Sequence, residues 1–260
     1  ELSQPVDVLA GEALDQAKAA TLGETLGKLP GVQTSNFGAG VGRPIIRGLD
    51  GPRVGVLSGG LSSQDVSTIS QDHATAVEPF LADQIEVLKG PATLLYGSGA
   101  IGGVVNVVDG RIAERQLDET LKGRAELRHD TVNRGRTAMV RIDASGADGA
   151  LVLHADGVYR DQDDYDTPDG EQLNSFVETR TGALGASWIG TEGFIGVSLS
   201  RYDNRYGNPG EPGDPAAGEA GVSLDMLQNR FELKTGIVRD FWIFNGLRGS
   251  FASTDYEHTE

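Results

Sequence analysis

After residue 118 the chain alternates. Leu121, Gly123, Ala125 and Leu127 interleave with Lys122, Arg124, Glu126 and Arg128. Ala138, Val140, Ile142 and Ala144 interleave with Met139, Arg141 and Asp143, and Leu151, Leu153, Ala155 and Tyr159 with Val152, His154, Asp156 and Arg160. A period of two marks a β-strand whose two faces meet different surroundings. Similar runs cover roughly 179–189, 194–202, 229–237 and 241–254. Each is about ten residues long, the length at which a tilted strand crosses a bilayer. A soluble antiparallel sheet also alternates, but two features favour a membrane barrel. The polar face carries charge along its whole length, as a water-filled or plugged lumen requires. Connections also alternate in length: Ser145–Gly149 and Gly190–Gly193 are tight, whereas 161–177 and 203–227 are long and polar. Short turns at one end and long loops at the other characterise outer-membrane barrels.

Residues 1–112 have a different texture. They hold 12 acids and 7 bases, against 26 and 15 in residues 113–260, and the change of pattern predicts two domains with those bounds. Residues 21–29 read as a short helix with Thr21 at its N-cap and Glu24 three residues on, a capping box. Leu22, Leu26 and Leu29 share one face of it, and Pro30-Gly31 ends it. Strand candidates are Val6–Leu9, Pro44–Arg47, Arg53–Leu57, Gln84–Leu88 and Val104–Val108, separated by glycine-rich turns. The segment therefore reads as a small α+β unit. Gly97-Ser98-Gly99-Ala100-Ile101-Gly102 matches G-x-G-x-x-G, but a β-type run follows it where a dinucleotide site needs a helix. Those glycines are expected to serve tight turns instead.

Composition removes other classes. With 22 basic against 38 acidic residues, a net charge of −16 excludes a nucleic-acid partner. Zero cysteines exclude a disulfide scaffold, thiolate metal sites and a cysteine nucleophile. No run of about 18 uncharged apolar residues offers a transmembrane helix. No basic-then-apolar leader opens the chain, so Glu1 reads as a mature or trimmed start. Ser70, Asp72 and His73 are too close in sequence to adopt a hydrolytic triad readily, so no enzyme is expected.

The run Ile85-Glu86-Val87-Leu88-Lys89-Gly90-Pro91-Ala92, then Leu95-Tyr96-Gly97, then Gly102-Gly103-Val104-Val105-Asn106-Val107, resembles the plug signature of TonB-dependent outer-membrane receptors. Arg47-Gly48 and Leu26–Gly31 match further plug positions. The resemblance implies an α+β plug domain over 1–112, followed by antiparallel transmembrane β-barrel strands over 113–260. Seven strands cannot close around a plug of about 110 residues, which needs on the order of 22. The chain is therefore expected to be an N-terminal portion of a longer protein. The resemblance further implies a monomer in the outer membrane of a Gram-negative bacterium, in contact with its lipid. Such a protein imports a scarce nutrient with energy from a TonB–ExbB–ExbD complex. The usual energy-coupling TonB box has no convincing copy in Glu1–Gln4 and is expected upstream.

Gly51-Pro52-Arg53-Val54 through Ser70-Gln71-Asp72-His73-Ala74 is most similar to the zinc-uptake branch of these receptors. By that resemblance Asp72 and His73 map to metal ligands at the plug apex. The chemistry is independently reasonable, since carboxylate and imidazole both suit Zn²⁺; the alternative is a turn cap beside an exposed histidine. Asp255-Tyr256-Glu257-His258 reads as a loop entry on the long-loop side, where Glu257 and His258 are candidates for further ligands. The cargo expected is thus Zn²⁺ or a similar divalent ion, with no prosthetic group. The alternative is an iron chelate (siderophore), haem or cobalamin. Asp161–Glu171 carries six carboxylates without the glycine a calcium loop needs at its sixth position, and reads first as a solvated acidic loop, with cation capture as the alternative. His154 is a lumen-facing relay candidate or a partner of Asp156, and Arg43, Arg47, Glu86 and Lys89 are candidates for plug–barrel or intraplug ion pairs.

Overall fold

A computed structural model describes residues 6–90, 99–214, 217–239 and 244–260. The order in the first part is β1 (Val6–Ala10), α1 (Gly11–Ala17), α2 (Leu22–Leu26), β2 (Val32–Thr34), β3 (Pro44–Ile46), β4 (Val54–Ser58), β5 (Leu61–Ser62), β6 (Gln84–Leu88) and β7 (Gly103–Val108). Then follow β8 (Leu121–His129), β9 (Arg136–Gly146), β10 (Leu151–Gln162), the small hairpin β11 (Tyr165–Thr167) and β12 (Gly170–Gln172), β13 (Val177–Gly190), β14 (Gly193–Gly207), β15 (Ser223–Ile237) and β16 (Leu247–Thr259).

The first part is built on a five-stranded sheet in the order β1-β6-β7-β4-β5, with β4 and β7 parallel. Helix α2 starts where the capping box places it: the Glu24 amide donates to Thr21 Oγ1 at 3.3 Å, and that hydroxyl donates to the Glu24 carboxylate at 3.1 Å. Its buried Leu22 and Leu26 pack with Leu14, Val32, Ile46, Val54, Ile85, Val87 and Val105 into one core. Where the chain enters β7 there is no room for side chains. A Cβ on Gly102 would lie 2.7 Å from the Leu49 Cβ, and one on Gly103 would lie 2.5 Å from the Ile46 Cδ1. The last glycines of the G-x-G-x-x-G run thus allow close packing at a strand; Gly97 and Ser98 lie outside the described residues, as do Pro91, Ala92, Leu95, Tyr96 and Glu1–Gln4.

The second part is one antiparallel sheet of seven strands in the order β16-β15-β14-β13-β10-β9-β8. Its burial is the inverse of a soluble sheet. Leu127, Leu153, Leu184, Trp188, Leu199 and Phe251 are exposed on the outer face, whereas Asp143, His154, Arg160, Asn204, Gln228, Arg230 and Glu232 are buried. The buried face packs on the first part and the apolar face is uncovered among the described residues, which is the arrangement of strands around a plug in a bilayer. Tight connections join β9 to β10 and β13 to β14. The longer ones, 163–176 and 208–222, lie at the opposite end. The final strand departs from expectation at its far end: it spans Leu247–Thr259 and so runs beyond 254, because the pairing of Ile237 with Leu247 and Asp225 with Thr259 sets its register; residues 241–243 of the expected run lie outside the described residues. Asp255–His258 therefore lies within a strand and is not a loop entry.

Candidate functional site

The segment between β5 and β6 rises to the long-loop end of the sheet and is held by side chains from below and beside it. Asp65 caps a 3-10 turn at Val66–Thr68, accepting from the Ser67 amide at 3.0 Å, and its second oxygen accepts from the Ala76 amide at 3.0 Å. Arg43 is buried beneath this turn. Its guanidinium donates to the carbonyls of Ser67 and Ser70, and pairs with Asp50 at 2.9 Å. From the barrel wall, the Tyr206 hydroxyl donates to the Asp72 carbonyl at 3.0 Å and accepts from the Ala74 amide at 2.9 Å. Gln228 and Arg230 donate to the carbonyls of Ser63 and Ser62 at 2.9 and 2.8 Å. The loop is thus clasped by β14 and β15.

At its apex His73 is buried. Its Nδ1 lies 3.0 Å from Asp72 Oδ1, which also accepts from the Ser70 hydroxyl. Burial pushes the Asp72 carboxyl towards a higher pKa, but the hydrogen bonds from Ser70 and His73 outweigh it and hold the group below its ordinary value. His73 Nε2 has no hydrogen-bond partner despite its burial, which is a costly state for a polar atom. It faces β16. The His258 ring stands edge-on at a centroid distance of 4.8 Å, and Glu260 Oε1 lies 3.5 Å from Nε2. One ligand atom from each of His73, His258 and Glu260 falls within 4.8 Å of the others. Two ligands of a tetrahedral zinc ion are separated by about 3.3 Å, and His258 and Glu260 are exposed enough to close the remainder. Ser70 meets Asp72 rather than the imidazole, so no nucleophile–base pair forms here.

The expected residues are only partly brought together. Asp72, His73 and His258 cluster, but Glu257 lies on the opposite face of β16 from His258, since successive strand residues point to opposite faces. Glu260, two residues beyond His258, stands in its place. That parity is readable from sequence once 247–260 is taken as strand.

The expected ion pairs also divide. Arg43 pairs with Asp50, and Lys89 with Asp7 and the Pro30 carbonyl, all within the plug. Glu86 makes no ion pair among the described residues; it accepts from Gln84 at 2.7 Å and Asn106 at 3.0 Å. Arg47 is exposed at a φ of +51° and has no charged partner among them either. The contacts that tie plug to barrel are not legible in the sequence: Glu78 with Arg160, Asp83 with Arg141 at 2.7 Å, and Arg111 with Asp156 at 2.8 Å. His154 lies between Asp143 at 2.6 Å and Asp156 at 2.8 Å, which saturates both ring nitrogens. In the acidic loop, Asp163 pairs with Arg134 at 2.8 Å and Asp164 accepts from the Asn174 and Ser175 amides.

Residues 1–104 match the family model described as the TonB-dependent receptor plug domain. A vitamin B12 transporter, BtuB, of Photobacterium profundum is 29% identical over 246 residues, covering 87% of this chain and 38% of the relative. A hemin receptor of Yersinia pestis is 35% identical over 115 residues, covering 40% of this chain and 15% of that one. Among solved structures the copper transporter OprC superposes with a TM-score of 0.77 at 20% identity, over 97% of this chain and 37% of that one. The chain thus spans less than two-fifths of the length of these relatives. Residues 1–104 thus match the plug domain of TonB-dependent receptors, and over nearly its whole length the chain shares the fold of plug and barrel strands with such receptors, which are proteins of the Gram-negative outer membrane.

Proposed function

We propose that the receptor to which these strands and plug belong imports a divalent transition-metal ion, zinc or one like it, captured at the plug apex and passed inward with energy from a TonB–ExbB–ExbD complex. The observation that carries this reading is the buried His73 Nε2, which makes no hydrogen bond and faces His258 and Glu260. Two imidazoles and a carboxylate are a donor set that suits Zn²⁺ and leaves a fourth position open. The site sits at the long-loop end, the side from which an external nutrient arrives. Residues 62–75 contain no aromatic residue of the kind that grips an organic chelate.

The second reading is import of cobalamin, haem or an iron chelate. It is favoured by the names of the relatives, a vitamin B12 transporter and hemin receptors. Calorimetric titration of the detergent-solubilised receptor separates the two. The metal reading expects a saturable Zn²⁺ site that weakens strongly in His73→Ala, with no heat from cyanocobalamin or haemin. Equal, weak zinc binding in both proteins, with saturable binding of an organic cofactor, would establish the second reading.

A further inference from the structure

We propose that the three connections at the long-loop end, 130–135, 163–176 and 208–222, are ganged into one cap that is keyed to plug segment 35–41, so that plug and cap shift together. This coupling is independent of which nutrient is carried. Two backbone bonds join the first two connections: the Asp163 amide donates to the Asn133 carbonyl and the Asp166 amide to the Val132 carbonyl, both at 2.9 Å. Arg134 adds an ion pair to Asp163 at 2.8 Å. The second and third connections are pinned by Asn174. Asp164 accepts from the amides of Asn174 and Ser175, which fixes the end of the acidic loop. Asn174 takes a φ of +60°, a left-handed conformation that asparagine tolerates better than most residues. From there its side-chain nitrogen donates to the carbonyls of Asn208, Glu211 and Val222 at 2.9, 3.2 and 2.6 Å. One side chain thus holds both ends of the 208–222 connection.

The cap then reaches the plug. A Cβ on Gly38 would lie 2.7 Å from Pro209 Cδ, so the proline ring rests on plug backbone where position 38 has no side chain. Segment 35–41 is in turn tied inward. Val41 is buried and its amide donates to the Gly38 carbonyl at 3.2 Å. The Ser35 amide donates to the Arg43 carbonyl, and the Arg43 amide to Ser35 Oγ, both at 2.9 Å. Arg43 is the residue whose guanidinium holds the apex turn by the Ser67 and Ser70 carbonyls. A continuous line of contacts therefore runs from the apex turn through Arg43, Ser35 and Gly38 to Pro209, and through Asn174 into the acidic loop. Contiguous packed and hydrogen-bonded groups of this kind carry displacement from one site to another.

Hydrogen exchange of the detergent-solubilised receptor tests this with Asn174→Gly, which accepts the left-handed backbone and deletes only the side-chain amide. The Asn208 amide donates to the Val222 carbonyl and the Val222 amide to the Glu211 carbonyl. Exchange at both amides is expected to rise by about tenfold or more once the three bonds from Asn174 are lost. The decisive readout is the Val41 amide in the plug, which should exchange severalfold faster as well, while the amides of β6 and β7 keep their protection. Pro209→Ala removes the ring from Gly38 and leaves Asn174 in place. It should raise exchange at Val41 and leave the Asp163 and Asp166 amides unchanged. Val41 unaltered in both variants would overturn the keying of cap to plug. No rise at Asn208 and Val222 in Asn174→Gly would overturn the pin. Loss of protection in β6 and β7 as large as at Val41 would mean general loosening of the plug, and would overturn the proposal as well.

Discussion

Glu78 and Arg160 meet as a two-pronged ion pair between plug and barrel wall, with Arg160 Nη1 3.0 Å from Oε2 and Nη2 3.0 Å from Oε1. Both side chains are almost wholly shielded, Arg160 at 1% and Glu78 at 2% exposure. Arg160 also lies over the Phe80 ring, 5.1 Å from its centroid. Removing one member of such a pair strands the other charge away from water and costs about 3–5 kcal/mol. Glu78→Ala should therefore loosen the plug, seen as faster proteolysis within residues 6–90 of the folded receptor. Glu86→Ala should not, because the Glu86 partners, Gln84 and Asn106, belong to the plug's own sheet. Equal protease sensitivity of the two variants would show that this pair does not fasten the plug.

The apex loop offers a second point of attachment. Tyr206 uses one hydroxyl to satisfy both the Asp72 carbonyl and the Ala74 amide. Tyr206→Phe leaves those two backbone groups unpaired in a buried place, at a cost of about 1–3 kcal/mol each. The expected outcome is local: faster hydrogen exchange at the Ala74 amide and several-fold weaker Zn²⁺ binding, with the Glu78–Arg160 attachment and overall protease resistance kept. Unchanged exchange at Ala74 would mean that the clasp is not formed by this hydroxyl.

What is legible in sequence follows from how local each cause is. Barrel strands announce themselves because the lumen and the bilayer impose opposite chemistry on alternate residues, and the capping box of α2 needs only Thr21 and Glu24. Elements of two to seven residues such as β5, β2 and α1 are too short to show a period. The register of β16 depends on its partner β15, so sequence alone misplaces it by several residues, and with it the Asp255–His258 segment. Ion pairs are the least legible. Glu78 and Arg160 are 82 residues apart, and nothing near either names the other, whereas Arg47 and Glu86 stand in motif positions that suggest ion pairs not formed among the described residues.

The parity of β16 makes a sharp prediction about the metal reading. His258 and Glu260 share the face toward His73, while Glu257 lies on the other face. Glu260→Ala should weaken Zn²⁺ binding by tenfold or more, and Glu257→Ala should leave it within about threefold, as expected for a surface charge acting only at a distance. Isothermal titration of both variants checks this. The reverse order of effects would mean that the strand presents its other face to the apex.

The link between plug and barrel depends on a glycine. A Cβ on Gly185 would lie 2.0 Å from the Arg111 carbonyl oxygen and 3.1 Å from its carbonyl carbon, so the chain leaving β7 can run along β13 only while position 185 has no side chain. Backbone cannot yield as the end of a flexible side chain would. Gly185→Ala should push Arg111 away from Asp156, its partner at 2.8 Å, without altering either charge. Asp156 would keep only His154. Trypsin should then cut after Arg111 in the folded receptor, where the parent resists, and the Glu78–Arg160 contact should still retain the plug. Gly157→Ala is the matched control, because its added Cβ would meet the Thr181 carbonyl at an ordinary 3.4 Å. Resistance at Arg111 in Gly185→Ala equal to that of Gly157→Ala would show that the linker is held by something other than this close approach.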